Sequence, residues 1–151
     1  MKLAIRKALF GDVPRLWELR RQSILELAPA GMTMDQSRAW AANLTIQGME
    51  KRFRETEVWI AEMDDAIVGW VAVRADHLVA LYADPRFARK GIGSELLGWA
   101  EGLMREAGIE LIRAEASPNA EEFYLRRGYE PAGLRAADGA LPLLKRLTPI
   151  L

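Results

Sequence analysis

The chain has no cysteine and a single histidine, His77. That shortage removes disulfide frameworks, thiolate zinc sites, cysteine nucleophiles and any cluster of histidine ligands, so no metal is expected and catalysis has to come from other groups. Excess charge of either sign is also missing, with 21 Lys plus Arg against 21 Asp plus Glu. Without a basic field there is little to drive binding to nucleic acid or anionic membranes. No run reaches the ~18 apolar residues of a membrane span. The N-terminus carries Lys2, Arg6 and Lys7 where a signal peptide needs an apolar stretch. The default expectation is a cytoplasmic protein with neither nucleic acid nor membrane as partner. No linker, repeat or low-complexity tract divides the chain, and 151 residues suit one domain, so a single domain over 1–151 is expected. What is present is half apolar and 28% charged, the balance of a globular fold.

Hydrophobic periodicity orders the elements. A strand at Leu3 to Lys7 leads to Asp12, a candidate cap for a helix with Pro14 in its first turn and Val13, Leu16, Trp17, Ile24 and Leu27 on one face, ended by Pro29 and Gly31. Thr33 and Gln36 have capping-box spacing and predict a second helix through Trp40 and Leu44 to about Phe53, with a break near Gly48. Val58 to Met63 and Ile67 to Arg74 flank Asp64-Asp65 as a hairpin, and His77 to Tyr82 follows as a third strand. The period then changes to helical: Ile92, Leu96, Leu97, Ala100, Leu103 and Met104 share a face, stopped by Gly108. Leu111 to Ala116 reads as a strand, Pro118-Asn119 with Glu122 as the start of a short helix, and Gly128 as its end. Tyr129 to Arg135 and Leu141 to Leu147 frame Asp138-Gly139 as a closing hairpin. The order is β-α-α-β-β-β-α-β-α-β-β. A strand, long helix and strand over 77–116 require a parallel pair while the hairpins are antiparallel, so an α+β (mixed α/β) fold with a mixed sheet follows.

The run Arg89-Lys90-Gly91-Ile92-Gly93-Ser94 stands after a strand and opens a helix. A helix N-terminus presents unpaired N–H groups and partial positive charge, Gly91 and Gly93 let the backbone approach, and Arg89 and Lys90 add cations, so a pyrophosphate is a plausible guest. The spacing excludes a P-loop, since no Lys follows Gly93, and a dinucleotide fingerprint, since Leu96 stands where a glycine would be required. Taken alone, two glycines mark a tight strand-to-helix turn more often than a ligand site.

The longer run Leu81-Tyr82-Ala83-Asp84-Pro85-Arg86-Phe87-Ala88-Arg89-Lys90-Gly91-Ile92-Gly93-Ser94-Glu95-Leu96-Leu97 resembles the signature segment of the GNAT superfamily of acyl-CoA N-acyltransferases. Asn119-Ala120-Glu121-Glu122-Phe123-Tyr124-Leu125-Arg126-Arg127-Gly128-Tyr129 is similar to the family's later motif, and the element order resembles its fold over nearly the whole chain. One departure is Ala88, where the family usually carries Gln or Arg; Arg89 compensates in part. The resemblance implies a central, largely antiparallel mixed sheet with helices on both faces, and an acetyl-CoA-dependent N-acetyltransferase. Acetyl-CoA would lie along Leu81, Tyr82 and Ala83, in a gap between that strand and the strand at Leu111 to Ala116. Its pyrophosphate would meet Arg89, Lys90, Gly91, Ile92, Gly93 and Ser94, and Asn119 would contact its arm or simply cap the short helix. Tyr124 stands where the family carries its catalytic Tyr.

Acyl transfer to an amine needs the amine deprotonated, because alkyl amines resemble Lys with a pKa of about 10.4. Glu62, Asp76 and Glu115 are the candidate bases by position, with His77 beside them, and none is singled out. Tyr124 would protonate the departing CoA thiolate. The acceptor pocket falls by resemblance on roughly Leu25 to Phe53 with the closing hairpin. Met32, Met34, Trp40 and Met49 there either line an apolar pocket or are plain core. The amine itself is not legible. A catalytically silent acyl-CoA-binding sensor of the same fold stays open, and a general nucleotide-binding domain is remote. The apolar ending Leu141 to Leu151 closes the sheet of its own chain or lies across a neighbour's, leaving a homodimer open.

Overall fold

Strand and helix periods both recur in the computed structural model of the chain, which describes residues 2–26, 33, 35, 38, 44–87 and 90–148. The strands are β1 (Leu3–Lys7), β2 (Glu57–Met63), β3 (Ala66–Arg74), β4 (His77–Ala83), β5 (Leu111–Ala116), β6 (Glu130–Pro131) and β7 (Leu141–Arg146). The helices are α1 (Val13–Glu26), α2 (Ile46–Glu55), α3 (Ile92–Glu106) and α4 (Glu121–Leu125). The strands form one sheet in the order β1-β2-β3-β4-β5-β7-β6. Every neighbouring pair is antiparallel except β4 and β5, which are joined by the α3 crossover and run parallel. This is the mixed, largely antiparallel sheet expected.

Alternation along the strands divides the core by face. Ala61, Val68, Val71, Ile112 and Ala114 pack with Ile92, Leu96, Leu97 and Ala100 of α3. On the other face Val58, Ile60, Trp70 and Ala72 pack with Leu16 and Leu19 of α1 and Met49 of α2. The Trp70 indole N–H reaches the Leu16 carbonyl at 3.1 Å, so this buried polar group is satisfied across the layer. Gly69 permits the close seating of α3: a Cβ there would lie 2.8 Å from Ile92, 2.9 Å from Leu96 and 2.9 Å from the Tyr82 carbonyl. The first turn of α3 is thereby held against the end of β4.

Several local expectations need correction. Asp12 does not cap α1; its carboxylate accepts the Leu9 N–H at 2.7 Å and Arg6 at 2.9 Å, closing a 3-10 turn over Phe10–Asp12 that runs directly into the helix. The break expected near Gly48 falls at Leu44 and Thr45, which are not helical, while Asp35 and Arg38 before them are; Gly48 itself does not make it. This glycine lies in the first turn of α2, where its N–H donates to the Thr45 hydroxyl cap at 2.9 Å. The expected earlier start at Thr33 and Gln36, with Met32, Met34 and Trp40, and the stop at Pro29 and Gly31 fall largely outside the described residues. The strand expected from Tyr129 to Arg135 shrinks to Glu130–Pro131, because Pro142, which accepts from the Ala132 N–H across the ladder, has no N–H of its own to return the bond. The hairpin still closes, with Ala132 N–H on the Pro142 carbonyl and Ala136 N–H on the Ala140 carbonyl. β7 completes the sheet of its own chain, between β5 and β6. Among the described residues no helix is long and apolar enough to cross a membrane.

Candidate active site

β4 pairs with β5 only through its own first two residues, His77 with Arg113 and Leu78 with Ala114 in the middle of β5, and the strands then part. The cause lies in β4's other edge. Ala72 pairs with Ala80 and Val73 with Leu78, so Val79 is an extra residue in the ladder with β3. A bulge of this kind bends its strand and increases the local twist. Beyond it Leu81, Tyr82 and Ala83 keep β3 on one edge and pair with no strand among the described residues on the other. Leu81 and Ala83 turn toward the α3 face and Tyr82 toward the α1 and α2 face. What the three share along the gap is a free row of backbone groups.

The mouth of this gap is set by the turn between β4 and α3. Asp84 is fully buried, and its carboxylate accepts from Arg15 of α1 at 3.0 Å and from the Arg86 guanidinium at 2.8 Å and backbone at 3.0 Å. Burial pushes this carboxyl up, but the hydrogen bonds from Arg86 and Arg15 outweigh it and hold the group below the usual carboxylate range. Arg15 also donates to the Ile67 carbonyl, so one buried ion pair ties α1, β3 and the loop together. Ala88 and Arg89 lie outside the described residues. Lys90 is exposed and its N–H closes the turn on the Phe87 carbonyl at 3.2 Å. Gly91, at φ 79, is the N-cap of α3 and provides no side-chain cap, so the first N–H groups of the helix have no intrahelical partner and no capping oxygen from Gly91. Ile92 is buried in the core, leaving only its backbone for a ligand. The Phe123 ring approaches Gly93, where a Cβ would stand 3.3 Å away.

Ser94 is engaged by Arg127, whose guanidinium donates to its hydroxyl, donates to the Phe123 carbonyl at 2.8 Å, and lies 3.8 Å from the centroid of the Phe123 ring. Arg127 has no carboxylate partner among the described residues. It therefore adds a cation at the helix N-terminus that the motif reading did not single out, although Arg126-Arg127 directly before Gly128 was the available signal. Asn119 is not the cap of α4. Ala120 holds that position without a side-chain bond, and the Asn119 carbonyl oxygen accepts the Ser117 hydroxyl at 2.7 Å.

Tyr124, on α4, is buried and packs edge to face between Phe123 and Tyr129. Burial first, and then the neighbouring Tyr82 and Glu115, push its phenol well above the usual value. Those two neighbours belong to β4 and β5, one from each of the parted strands. Its hydroxyl has no hydrogen-bond partner among the described residues. The three candidate bases now separate. Glu62 is tied to Arg6 at 2.8 Å on the β1 and β2 side of the sheet, and Asp76 to Arg113 at 3.1 Å before β4 begins. Glu115 alone of the three acts on Tyr124. Both its oxygens lie 2.9 Å from Nε2 of His77, which makes Nε2 the proton-bearing ring nitrogen. His77 Nδ1 is buried without a hydrogen-bond partner among the described residues.

Met49, expected either in a pocket or in the core, is core. A recess of about 500 Å³ lies at the other end of the sheet, lined by Lys7, Glu57, Arg74, Met104 and Ile109, away from the glycine loop. Among the described residues no group of three or more His, Cys, Asp or Glu side chains could hold a metal ion.

Residues 27–144 match the family model described as an acetyltransferase (GNAT) domain. The S-(2-succino)cysteine N-acetyltransferase of Bacillus subtilis is 26% identical over 149 residues, covering 88% of this chain and 87% of that protein. Among solved structures, a GCN5-related N-acetyltransferase from Rhodopseudomonas palustris superposes with a TM-score of 0.87 at 24% identity, covering 97% of each chain. The PaiA N-acetyltransferase of Thermoplasma acidophilum, in complex with coenzyme A, gives 0.82 at 20% identity, covering 97% of this chain and 100% of that one.

Proposed function

This chain belongs to the GNAT acetyltransferases and is an acyltransferase, and we propose that it moves an acetyl group from acetyl-CoA directly to a primary amine. The observation that carries the reading is the parting of β4 from β5 beneath Tyr124. The free edge of Leu81, Tyr82 and Ala83 supplies N–H and C=O groups for an amide-bearing arm. A backbone N–H there polarises the thioester carbonyl as its oxygen gains charge. At the mouth, the N–H groups of Gly91, Ile92, Gly93 and Ser94 receive the pyrophosphate, with Arg89, Lys90 and Arg127 as cations around it. Asn119 contacts the arm from the β5 side.

The chemistry divides between two side chains. Glu115 takes a proton from the amine, directly or through water, as the amine nitrogen bonds to the thioester carbon. As the C–S bond then breaks, the Tyr124 hydroxyl donates its proton to the sulfur and is reprotonated from solvent. With its pKa raised, Tyr124 keeps its proton throughout the neutral range. Once Glu115 is protonated, one of the charges holding that pKa up is gone, so the phenol becomes a better acid at the step that needs one.

Thermal shift with acetyl-CoA, CoA and ATP in parallel tests the donor. At ligand near 100 times its dissociation constant the native state gains about 2.7 kcal/mol, a rise of roughly 5 to 10 °C for a chain of this length. A thiol-release assay over an amine panel follows, including S-(2-succino)cysteine, for which the B. subtilis relative is named. Equal shifts with ATP, or none with acetyl-CoA, would overturn the donor assignment.

A further inference from the structure

The gap opens on both faces of the sheet, and the two faces differ in charge. Tyr124 and α3 belong to the first. On the second, where α1 and α2 pack, Tyr82 stacks beside Trp70 with ring centroids 5.2 Å apart. The Arg20 guanidinium of α1 lies 6.0 Å from the centroid of Tyr82. Arg20 Nε is buried without a hydrogen-bond partner among the described residues. Arg52 of α2 is half-buried and close enough to Arg20 to feel its like charge.

Neither arginine has an ion pair among the described residues. The nearest counter-charge to Arg52, Glu55, is already shared with Lys51 at 3.9 Å. Burial, then the like charge of Arg20, pulls the Arg52 guanidinium below its usual range. Arg6, Arg15, Arg86, Arg113, Arg126 and Arg135 hold carboxylates, and Arg105 and Arg127, which do not, donate to carbonyl and hydroxyl oxygens; Arg20 and Arg52 stand apart in being partly buried beside each other with no such acceptor among the described residues. Clustering desolvated cations without anions costs stability, so a ligand that supplies the anion recovers that cost on binding. Glu115 lies on this same face, since Ile112, Ala114 and Ala116 of β5 fill the α3 core and the residues between them point the other way. An amine held here would meet a carboxylate base on one side and the arginines on the other.

We propose that the acceptor is a small carboxylate-bearing amine whose anionic group is held by Arg20 and Arg52 on the α1 and α2 face of the gap. The proposal rests on the acetyltransferase reading above. Two bidentate guanidinium contacts match one carboxylate or two neighbouring ones. The glycine loop and α3 serve the donor from the opposite face, so the two substrates do not compete for the same cations.

The test uses the full chain with CoA bound, so that donor and acceptor sites are read separately. Succinate, added at constant ionic strength, should raise the melting midpoint of the CoA-loaded protein, and succinamide should not. Arg52→Gln and Arg20→Gln should each weaken succinate binding at least about tenfold while leaving the shift caused by CoA intact. Neither variant should melt lower than wild type without ligand, because each relieves like-charge repulsion; a purely structural arginine would give the opposite result. As substrates, L-glutamate should exceed L-glutamine in kcat/KM, and the preference should vanish in Arg52→Gln. Succinate acting no differently from succinamide, or binding equally well to both variants, would overturn the proposal. A missing CoA shift would instead strike the donor assignment, and the two failures are told apart in the first titration.

Discussion

Tyr124 and Tyr129 pack edge to face with ring centroids 5.3 Å apart, yet the regions they serve are built on opposite plans. Around Tyr129 the polar groups are answered. Its hydroxyl donates to Glu101 at 2.8 Å, and Lys145 reaches both oxygens of that carboxylate at 3.1 Å. Around Tyr124 they are not: its hydroxyl is unpartnered among the described residues and its electrostatic neighbours stand on two strands that have separated. The same division separates Arg15, paired with the buried Asp84, from Arg20, whose Nε has no hydrogen-bond partner among the described residues. Closed polar networks hold a fold together, whereas open ones are costly unless something binds there. The satisfied half of this molecule is the scaffold, and the unsatisfied half lines the gap.

The largest effect that would sharpen this contrast is on turnover. Tyr124→Phe should lower kcat by about 10² to 10⁴, with acetyl-CoA affinity kept and the melting midpoint nearly unchanged; steady-state kinetics and calorimetry on one preparation read both. Unchanged turnover would remove Tyr124 from the chemistry. Next comes the scaffold. Asp84→Asn leaves Arg15 partly buried beside a neutral group and should cost about 3 kcal/mol, or roughly 6 to 12 °C. Because the folded pKa of Asp84 is depressed, its stabilisation is complete above the unfolded value of about 3.9 and is lost as pH falls through the folded pKa. The gap in midpoint between wild type and variant should therefore close in the acid range, and a gap independent of pH would contradict the ion pair.

Glu115→Gln should slow turnover about a hundredfold near neutrality, with the deficit shrinking as pH rises toward the acceptor's own pKa, because a deprotonated amine needs no base. A deficit constant with pH would assign Glu115 to positioning. The smallest effect belongs to Tyr129→Phe. It should cost about 1 to 2 kcal/mol through the lost bond to Glu101 and leave kcat unchanged, the mirror image of Tyr124→Phe. If both phenylalanine variants lost activity equally, the contrast between the two regions would fail.

Much of this was legible in the sequence. β1 and β5 fall on the expected residues, since period-two alternation survives burial on either face. Gly91 does open α3, because a left-handed residue before a helix is a local requirement. What could not be read depends on partners distant in sequence. The bulge at Val79 is a property of register with β3, Asp84 becomes a hub only when α1 brings Arg15 to it, and Arg20 and Arg52 come together only when two helices pack. Asn119 misled because Asn is a frequent cap; here Ser117 occupies its side-chain oxygen. The short β6 followed from Pro142, whose missing N–H was visible but whose place opposite Ala132 in the ladder was not.

The central claim is that the free edge of β4 beyond Val79 is where the acyl donor lies. Hydrogen exchange with and without acetyl-CoA tests it most directly. The account predicts that those amides of Val79 to Ala83 that face the gap exchange quickly in the free protein and become protected on binding, while amides of His77 and Leu78, already paired with β5, do not change. Protection that appeared only around the recess at the opposite end of the sheet, with β4 unaltered, would contradict it.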